Sequence, residues 1–304
     1  MEGKAREDNS VKRREITPRV ERLITAGLAI GDETAQDAGS LGFLARAVVQ
    51  ATLPHKKVSG TEFVRVNGDY TLHMLAPSKP GLPYGTVPRL LLAWLSSEAI
   101  RTKSRDLDLG HSMSAFMAQI GMAATGGANG TINRFKDQAN RLFRCTISAS
   151  YNGERGGQVL DGEEGFRIAD KSLTWWDPKH PQQAALWQST VRLSEGFFNE
   201  IIRHPVPVDM RAVAALKRSP LALDLYSWLT YRASYAERAS VIPWDKLALQ
   251  FGSEYKALRQ FRAAFLAELE KVQLVYPGAR AVPVEGGLEV SPALSHVPRK
   301  RGKA

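Results

Sequence analysis

The chain has 304 residues, room for about two domains of roughly 100–200 residues each; a composition 43% hydrophobic and 24% charged is that of a globular protein with a sizeable core. No run of 18 or more apolar residues occurs, the charged start MEGKAREDNSVKRRE lacks a signal-peptide core, and the single cysteine, Cys145, can build neither an internal disulfide nor a structural zinc site. These features exclude a membrane-spanning helix and a disulfide scaffold and imply a cytoplasmic protein, while a net charge of +10 favours a polyanionic partner.

Residues 1–40 read as an N-terminal segment, partly disordered, in which Thr17-Pro18 caps and opens a short helix through about Ile30. Residues 41–52 are expected to form a second helix, stopped by Pro54. TEFVRV and DYTLHML alternate around Asn67-Gly68, a favoured hairpin turn pair. An apolar helix follows over 87–103, then a short one over 112–121 with a serine cap and a terminal glycine. Gly126-Gly127 turns the chain into a longer helix, 131–144. Strand 145–151, a Gly-rich polar connection through Gly165 and the strand FRIADKSLTWW complete this half. Helix, helix, helix and two strands is the order of a winged helix-turn-helix.

The domain boundary is expected near residue 186, with STVRL as the first strand of the second domain. Short helices are expected around Phe197-Phe198 and over 209–216. The order then repeats: helix 219–235, an extended link at Val241-Ile242-Pro243, helix 244–251, helix 254–272, and strands VQLVY and GLEVSPA. The residues repeat too. LLAWLSSEA (91–99) matches LYSWLTYRA (225–233) at Leu91/Leu225, Trp94/Trp228, Leu95/Leu229 and Ala99/Ala233, and FMAQIG (116–121) matches LALQFG (247–252) at Gln119/Gln250 and Gly121/Gly252. The fold class is therefore α+β: two tandem winged helix-turn-helix domains of related topology, spanning 41–185 and 186–297. A basic tail at 298–304, with Arg299, Lys300, Arg301 and Lys303, closes the chain.

The second helix of a helix-turn-helix presents its polar face to base edges in the major groove. In helix 254–272, Leu258, Phe261, Phe265, Leu269 and Val272 fall on one side, and Lys256, Arg259 and Gln260 on the other, continued by Ala263, Ala264 and Ala267. In helix 131–144 the buried stripe is Ile132, Phe135, Ala139, Leu142 and Phe143; Asn133, Arg134, Asn140, Arg141 and Arg144 lie outside with one acid, Asp137. Arg155 and Arg280 stand where wings would reach phosphates. Trp175-Trp176 suits core packing better than base stacking, since adjacent strand residues face opposite ways.

The motifs of replication enzymes are missing. No two of the six histidines fall two apart, and no GxxxxGK[ST], HExxH, GxSxG or CxxC occurs. The expectation is a non-catalytic chain without cofactor or metal.

The stretches LPYGTVPRLLLAWLSSEAIRTKS (82–104), ALWQSTVRLSEGFFNEIIRHPVPVDMRAVAALKRSPLALDLYSWLTYRAS (185–234) and VIPWDKLALQFG (241–252) resemble the plasmid-encoded RepA replication initiator family. The resemblance covers about residues 41–297. It implies binding to repeated double-stranded sites (iterons) at a plasmid origin, opening of adjacent AT-rich duplex, recruitment of the host initiator protein and replicative helicase, and a monomer–dimer equilibrium, with no membrane partner. The alternative is a winged-helix transcriptional repressor, which fold alone does not separate from an initiator.

Overall fold

The structure, a computed structural model, describes residues 16–155, 158–173, 189–252 and 255–297. It begins with α1 (Pro18–Asp32), where the Val20 amide donates to the Thr17 hydroxyl at 3.4 Å and Pro18 opens the first turn. Residues 41–50, expected as helix, divide into β1 (Leu41–Ala45) and the short α2 (Arg46–Gln50). The partner of β1 lies far down the chain, so no local periodicity announces the strand. The hairpin forms as expected from β2 (Glu62–Asn67) and β3 (Tyr70–Leu75), closed by Gly68 at φ +58° and Asp69. Then come α3 (Thr86–Thr102), β4 (Asp106–Asp108), α4 (Met113–Gln119) capped by Ser112, and α5 (Thr131–Arg144).

The largest departures from expectation follow α5. The Gly-rich stretch is strand for most of its length, in a long hairpin of β5 (Thr146–Arg155) and β6 (Gln158–Arg167). Its polar residues hide the strand because β6 is an edge, where charged side chains are tolerated. FRIADKSLTWW is split at Ile168: its start ends β6, and its middle forms β7 (Ala169–Leu173) in another sheet. Trp175-Trp176 and the expected boundary at 186 lie outside the described residues. β8 (Thr190–Leu193), expected to open the second domain, pairs instead with β4 and β7 of the first. The two strands of that hairpin are too far apart in sequence for a turn signal to join them.

The chain continues through α6 (Glu195–Arg203), β9 (Pro205–Asp209), α7 (Met210–Leu216), α8 (Pro220–Ala233), β10 (Ser240–Pro243), α9 (Trp244–Phe251), α10 (Leu258–Val275), β11 (Ala281–Val284) and β12 (Gly287–Val290). α10 starts four residues later than expected and absorbs VQLV of the expected strand VQLVY, with Tyr276 as its C-cap. Val272 and Val275 prolong the buried stripe of Phe261, Phe265 and Leu269 at helical spacing. The partner of β12 is therefore AVPV.

The duplication predicted from residues is present in the topology. Each unit runs strand, short helix, long helix, strand, helix, helix, hairpin: β1-α2-α3-β4-α4-α5-β7-β8 and β9-α7-α8-β10-α9-α10-β11-β12. The sheets repeat as well, in the orders β4-β8-β7 and β10-β12-β11. The first unit carries two insertions, β2–β3 and β5–β6, which pair with each other through β3 and β5 into one four-stranded sheet.

The opening strands β1 and β9 of the units pair antiparallel, from Leu41↔Asp209 to Ala45↔Pro205. Buried apolar side chains form one cluster through both units. A buried ionic junction crosses the seam. Arg89 of α3 donates to both carboxylate oxygens of Asp224 on α8, at 2.7 and 2.6 Å, and to the carbonyls of Leu53, Pro54 and Gly85. His55 Nε2 lies 2.7 Å from the same carboxylate. Burial opposes the charge on Asp224, but Arg89 and the His55 hydrogen bond hold its carboxyl below the ordinary range. Burial also lowers the His55 imidazole, so at neutral pH it donates as a neutral ring.

Candidate nucleic-acid interface

α10 ends its buried stripe at Phe261, and its first turn projects beyond the core. Leu258, Arg259 and Gln260 are exposed, as is Lys256, which was expected on the helix but lies two residues before it, in the bend that leads to the Ala257 N-cap. Leu258, expected inside, is 48% exposed, because the stripe begins only where Phe261 meets Phe251 of α9 through the ring of Phe265. Gly252 makes that approach possible: a Cβ there would sit 2.3 Å from the Phe261 ring. The first turn of α10 has no side-chain cap, so its leading amides add a partial positive charge beside Arg259. Arg262, not anticipated, is exposed on the same side with its guanidinium 5.1 Å from the Trp244 ring centre. Its signal was its spacing, one turn after Arg259. Ala263 and Ala267 are exposed along the same helix, and Arg280 is exposed just before β11.

α5 is held by its approach loop. Thr131 and Thr125 exchange side-chain and backbone hydrogen bonds, including 3.0 Å from the Thr131 amide to the Thr125 hydroxyl, and Asn133 donates 2.9 Å to the Gly127 carbonyl. Asn133, Arg134, Asn140 and Arg144 are exposed. Arg141 is not on that face. Its guanidinium pairs with Asp137 at 2.8 Å, donates to the Leu82 carbonyl at 3.3 Å and stacks on Tyr84, which fastens α5 to the segment before α3. Gln138 adds a second fastening, accepting from the Tyr84 amide at 2.8 Å. Asp137, the one acid of this helix, is thereby neutralised. Arg155 ends β5, and Gly156-Gly157 beside it lie outside the described residues, as does the basic tail.

The paired glutamines have diverged. Gln250 is buried and donates 3.0 Å to the Gln50 carbonyl, whereas Gln119 is exposed and accepts from Trp94 at 3.2 Å. Cys145 is buried, and burial pushes its thiol up to about 12, which leaves it an inert core residue. Among the described residues no group of three or more His, Cys, Asp or Glu is placed to hold a metal ion, and no helix is long and apolar enough to cross a membrane.

Two solved structures are similar. The crystal structure of selenomethionine derivatives of domains 2 and 3 of RctB aligns with a TM-score of 0.53 at 10% identity, covering 82% of this chain and 99% of that one. A second crystal structure of RctB domains 2–3 aligns at 0.48 and 12% identity, over 80% of this chain and 94% of that one. The former shows a shared mixed helix-and-sheet fold. No curated protein matches the sequence. The profile of a family described as plasmid encoded RepA protein matches residues 82–246, from the segment before α3 to the first turn of α9. More than half of the chain, including the Arg89–Asp224 junction and all of α5, thus carries the family pattern, and the chain belongs to the plasmid-encoded RepA family of replication initiators that its sequence resembles.

Proposed function

We propose that this chain starts plasmid replication by binding repeated double-stranded sites at the origin through two winged helices, without catalysis of its own. The observation that carries the reading is the repeated unit within a RepA-family chain, each copy presenting an exposed, donor-rich helix after a short helix and a turn. The order helix, strand, helix, helix, hairpin, with the first strand paired to the last, is that of a winged helix. α10 would lay its first turn, with Arg259 and Gln260 and with Lys256 just ahead of the helix, in the major groove of one site, where arginine or lysine pairs with guanine and glutamine with adenine. α5 would place Arg134, Asn140 and Arg144 on a neighbouring groove or backbone, whereas Arg280, expected in the wing, stands at the far end of the β11–β12 hairpin from its turn.

Opening the origin needs more free energy than one bound protein can spare. Unstacking costs about 1.4 kcal/mol per base pair, so ten pairs cost roughly 14 kcal/mol. That is comparable to the whole of a typical specific binding free energy, about 11–15 kcal/mol. Several copies on repeated sites, supercoiling and host proteins must share the work. The host initiator protein and replicative helicase are the partners this reading calls for, in the cytoplasm, with the free protein in a monomer–dimer equilibrium.

The test is replication itself. A plasmid carrying only this gene and its origin repeats is expected to replicate in the host. The same plasmid with Lys256, Arg259 and Gln260 changed to alanine is expected to fail while the protein accumulates normally. Replication undiminished in that variant would reject α10 as the origin reader.

A further inference from the structure

Five cations line a groove of about 420 Å³ between α1 and α7: Arg19, Arg22, Arg211, Lys217 and Arg218. No carboxylate lines it, and the rest of its lining is Leu23, Ala26, Ala214 and Ala215. Arg19, Arg22 and Arg218 are exposed. No carboxylate among the described residues pairs with any of these three.

The groove is rigidly built. α1 lies close on α10: a Cβ on Gly27 would meet the Leu274 carbonyl oxygen at 2.0 Å. Arg211 is fixed by the buried Asp209 at 2.7 Å and donates to the Ala29 and Glu33 carbonyls at 3.2 and 2.8 Å, so it closes the C-terminal end of α1. Lys217 donates 2.6 Å to the Gly121 carbonyl at the end of α4. That bond brings the groove to the edge of the turn that leads into α5. Three exposed guanidinium groups therefore stand over a pre-set groove without carboxylates that reaches the segment between α4 and α5. α1 meets α10 at Leu274, near its C-terminal end and fifteen residues from Arg259.

We propose that this groove is a second, sequence-independent seat for the DNA phosphate backbone, formed by the N-terminal helix and continuous with the α4–α5 turn. The proposal rests on the duplex-binding reading above. An acidic protein segment is the other polyanion that could occupy it. The groove favours DNA because five of its nine lining residues are cations. Leu23, 4% exposed, is its single large apolar side chain, which leaves little apolar surface for the side chains that give acidic peptides their affinity. Guanidinium groups match phosphate by paired hydrogen bonds.

The test is the salt dependence of binding by the full chain, read by fluorescence anisotropy on two 30-bp duplexes, one with an origin repeat and one with that sequence scrambled. In the variant R19Q/R22Q/R218Q the slope of log affinity against log salt is expected to fall by about 2–3, about 0.9 for each phosphate contact removed. The ratio of repeat to scrambled affinity is expected to stay unchanged. The pair R19Q/R218Q, which removes no hydrogen bond within the protein, is expected to lower the slope by about 1–2 with unaltered melting temperature, so that damage to α1 cannot account for the change. An unchanged slope while the wild type still prefers the repeat overturns the groove and leaves the duplex reading standing. No duplex binding by the wild type overturns both. An unchanged slope with lost binding to a fluorescent poly-glutamate peptide assigns the groove to an acidic protein segment and likewise overturns the proposal.

Discussion

Asp224 is the only charge in the run PLALDLYSWL, and Arg89 the only one in PRLLLAWL. Each was readable in the sequence as an anomaly, one charge in an apolar helix, yet nothing in either run named the other as its partner. The structure brings them together with His55 across the seam. Removing one partner of a buried pair strands the other, so Asp224→Ala is expected to destabilise the chain by about 3–5 kcal/mol in urea unfolding. Replacing both, Arg89→Met with Asp224→Leu, is expected to cost no more than Asp224→Ala alone, because no buried charge is left unpaired and the remaining loss is that of the carbonyl and His55 hydrogen bonds. A larger loss in the double variant would show that an unpaired charge is not the main cost. The histidines set a pH dependence. Burial lowers both His55 and His296, the latter to about 4, where it sits against Tyr226 and Tyr276. The unfolded chain takes up these protons near pH 6.5 and the folded chain does not. Stability is therefore full above about pH 6.5 and declines as pH falls toward 4. The melting temperature is expected to be several degrees lower at pH 5 than at pH 7, and His296→Asn to flatten that slope; a temperature independent of pH over this range would contradict the assignment.

Helices bounded by glycine or proline were legible: α1, α3, α5 and α9 lie within two residues of their expected ends, although of these only α1 has a side-chain cap. Strands whose partners are remote were not. β1 and β9 find each other across more than half of the chain, and β8 pairs with β4 and β7, both distant from it in sequence, so local signals assigned them to helix, to nothing and to the wrong unit. Side-chain assignments failed where a tertiary partner intervened, as at Arg141, which Asp137 and Leu82 claim. Arg134→Ala is accordingly expected to lower the salt slope of DNA binding by about 0.9, and Arg141→Ala to leave it unchanged while loosening α5. A larger slope change at Arg141 than at Arg134 would reverse the orientation assigned to this helix. α1, whose role the sequence left open, is held by close approach rather than by charge. Gly27→Ala forces a Cβ onto the Leu274 carbonyl and is expected to cost about 1–3 kcal/mol and to expose α1 to protease. Cleavage at the wild-type rate would mean that α1 does not depend on that contact.

At the scale of the whole molecule the chain is one unit used twice, joined back to back by β1 and β9 and enlarged once by the four-stranded sheet. The continuous core and the Arg89–Asp224 junction make the two candidate DNA helices parts of one body rather than beads on a linker. Their spacing on DNA is then preset, which suits sites that recur at a fixed interval. The duplication was visible in a handful of residues, Leu91/Leu225 and Trp94/Trp228 among them, because both copies bury the same face of the long helix. The insertions β2–β3 and β5–β6 have no counterpart in the second copy, and only one of the two carried a turn signal strong enough to read.

The most direct measurement is the affinity of the purified chain for its own plasmid's origin fragment against random DNA of equal length, at low and at moderate salt. Strong preference for the origin is expected, with affinity falling as salt rises by about 0.9 log units per phosphate contact for each tenfold increase. Changing Lys256, Arg259 and Gln260 to alanine is expected to erase the preference more than the total binding. Equal affinity for both DNAs, or a preference untouched by that variant, would contradict sequence-specific duplex recognition by α10.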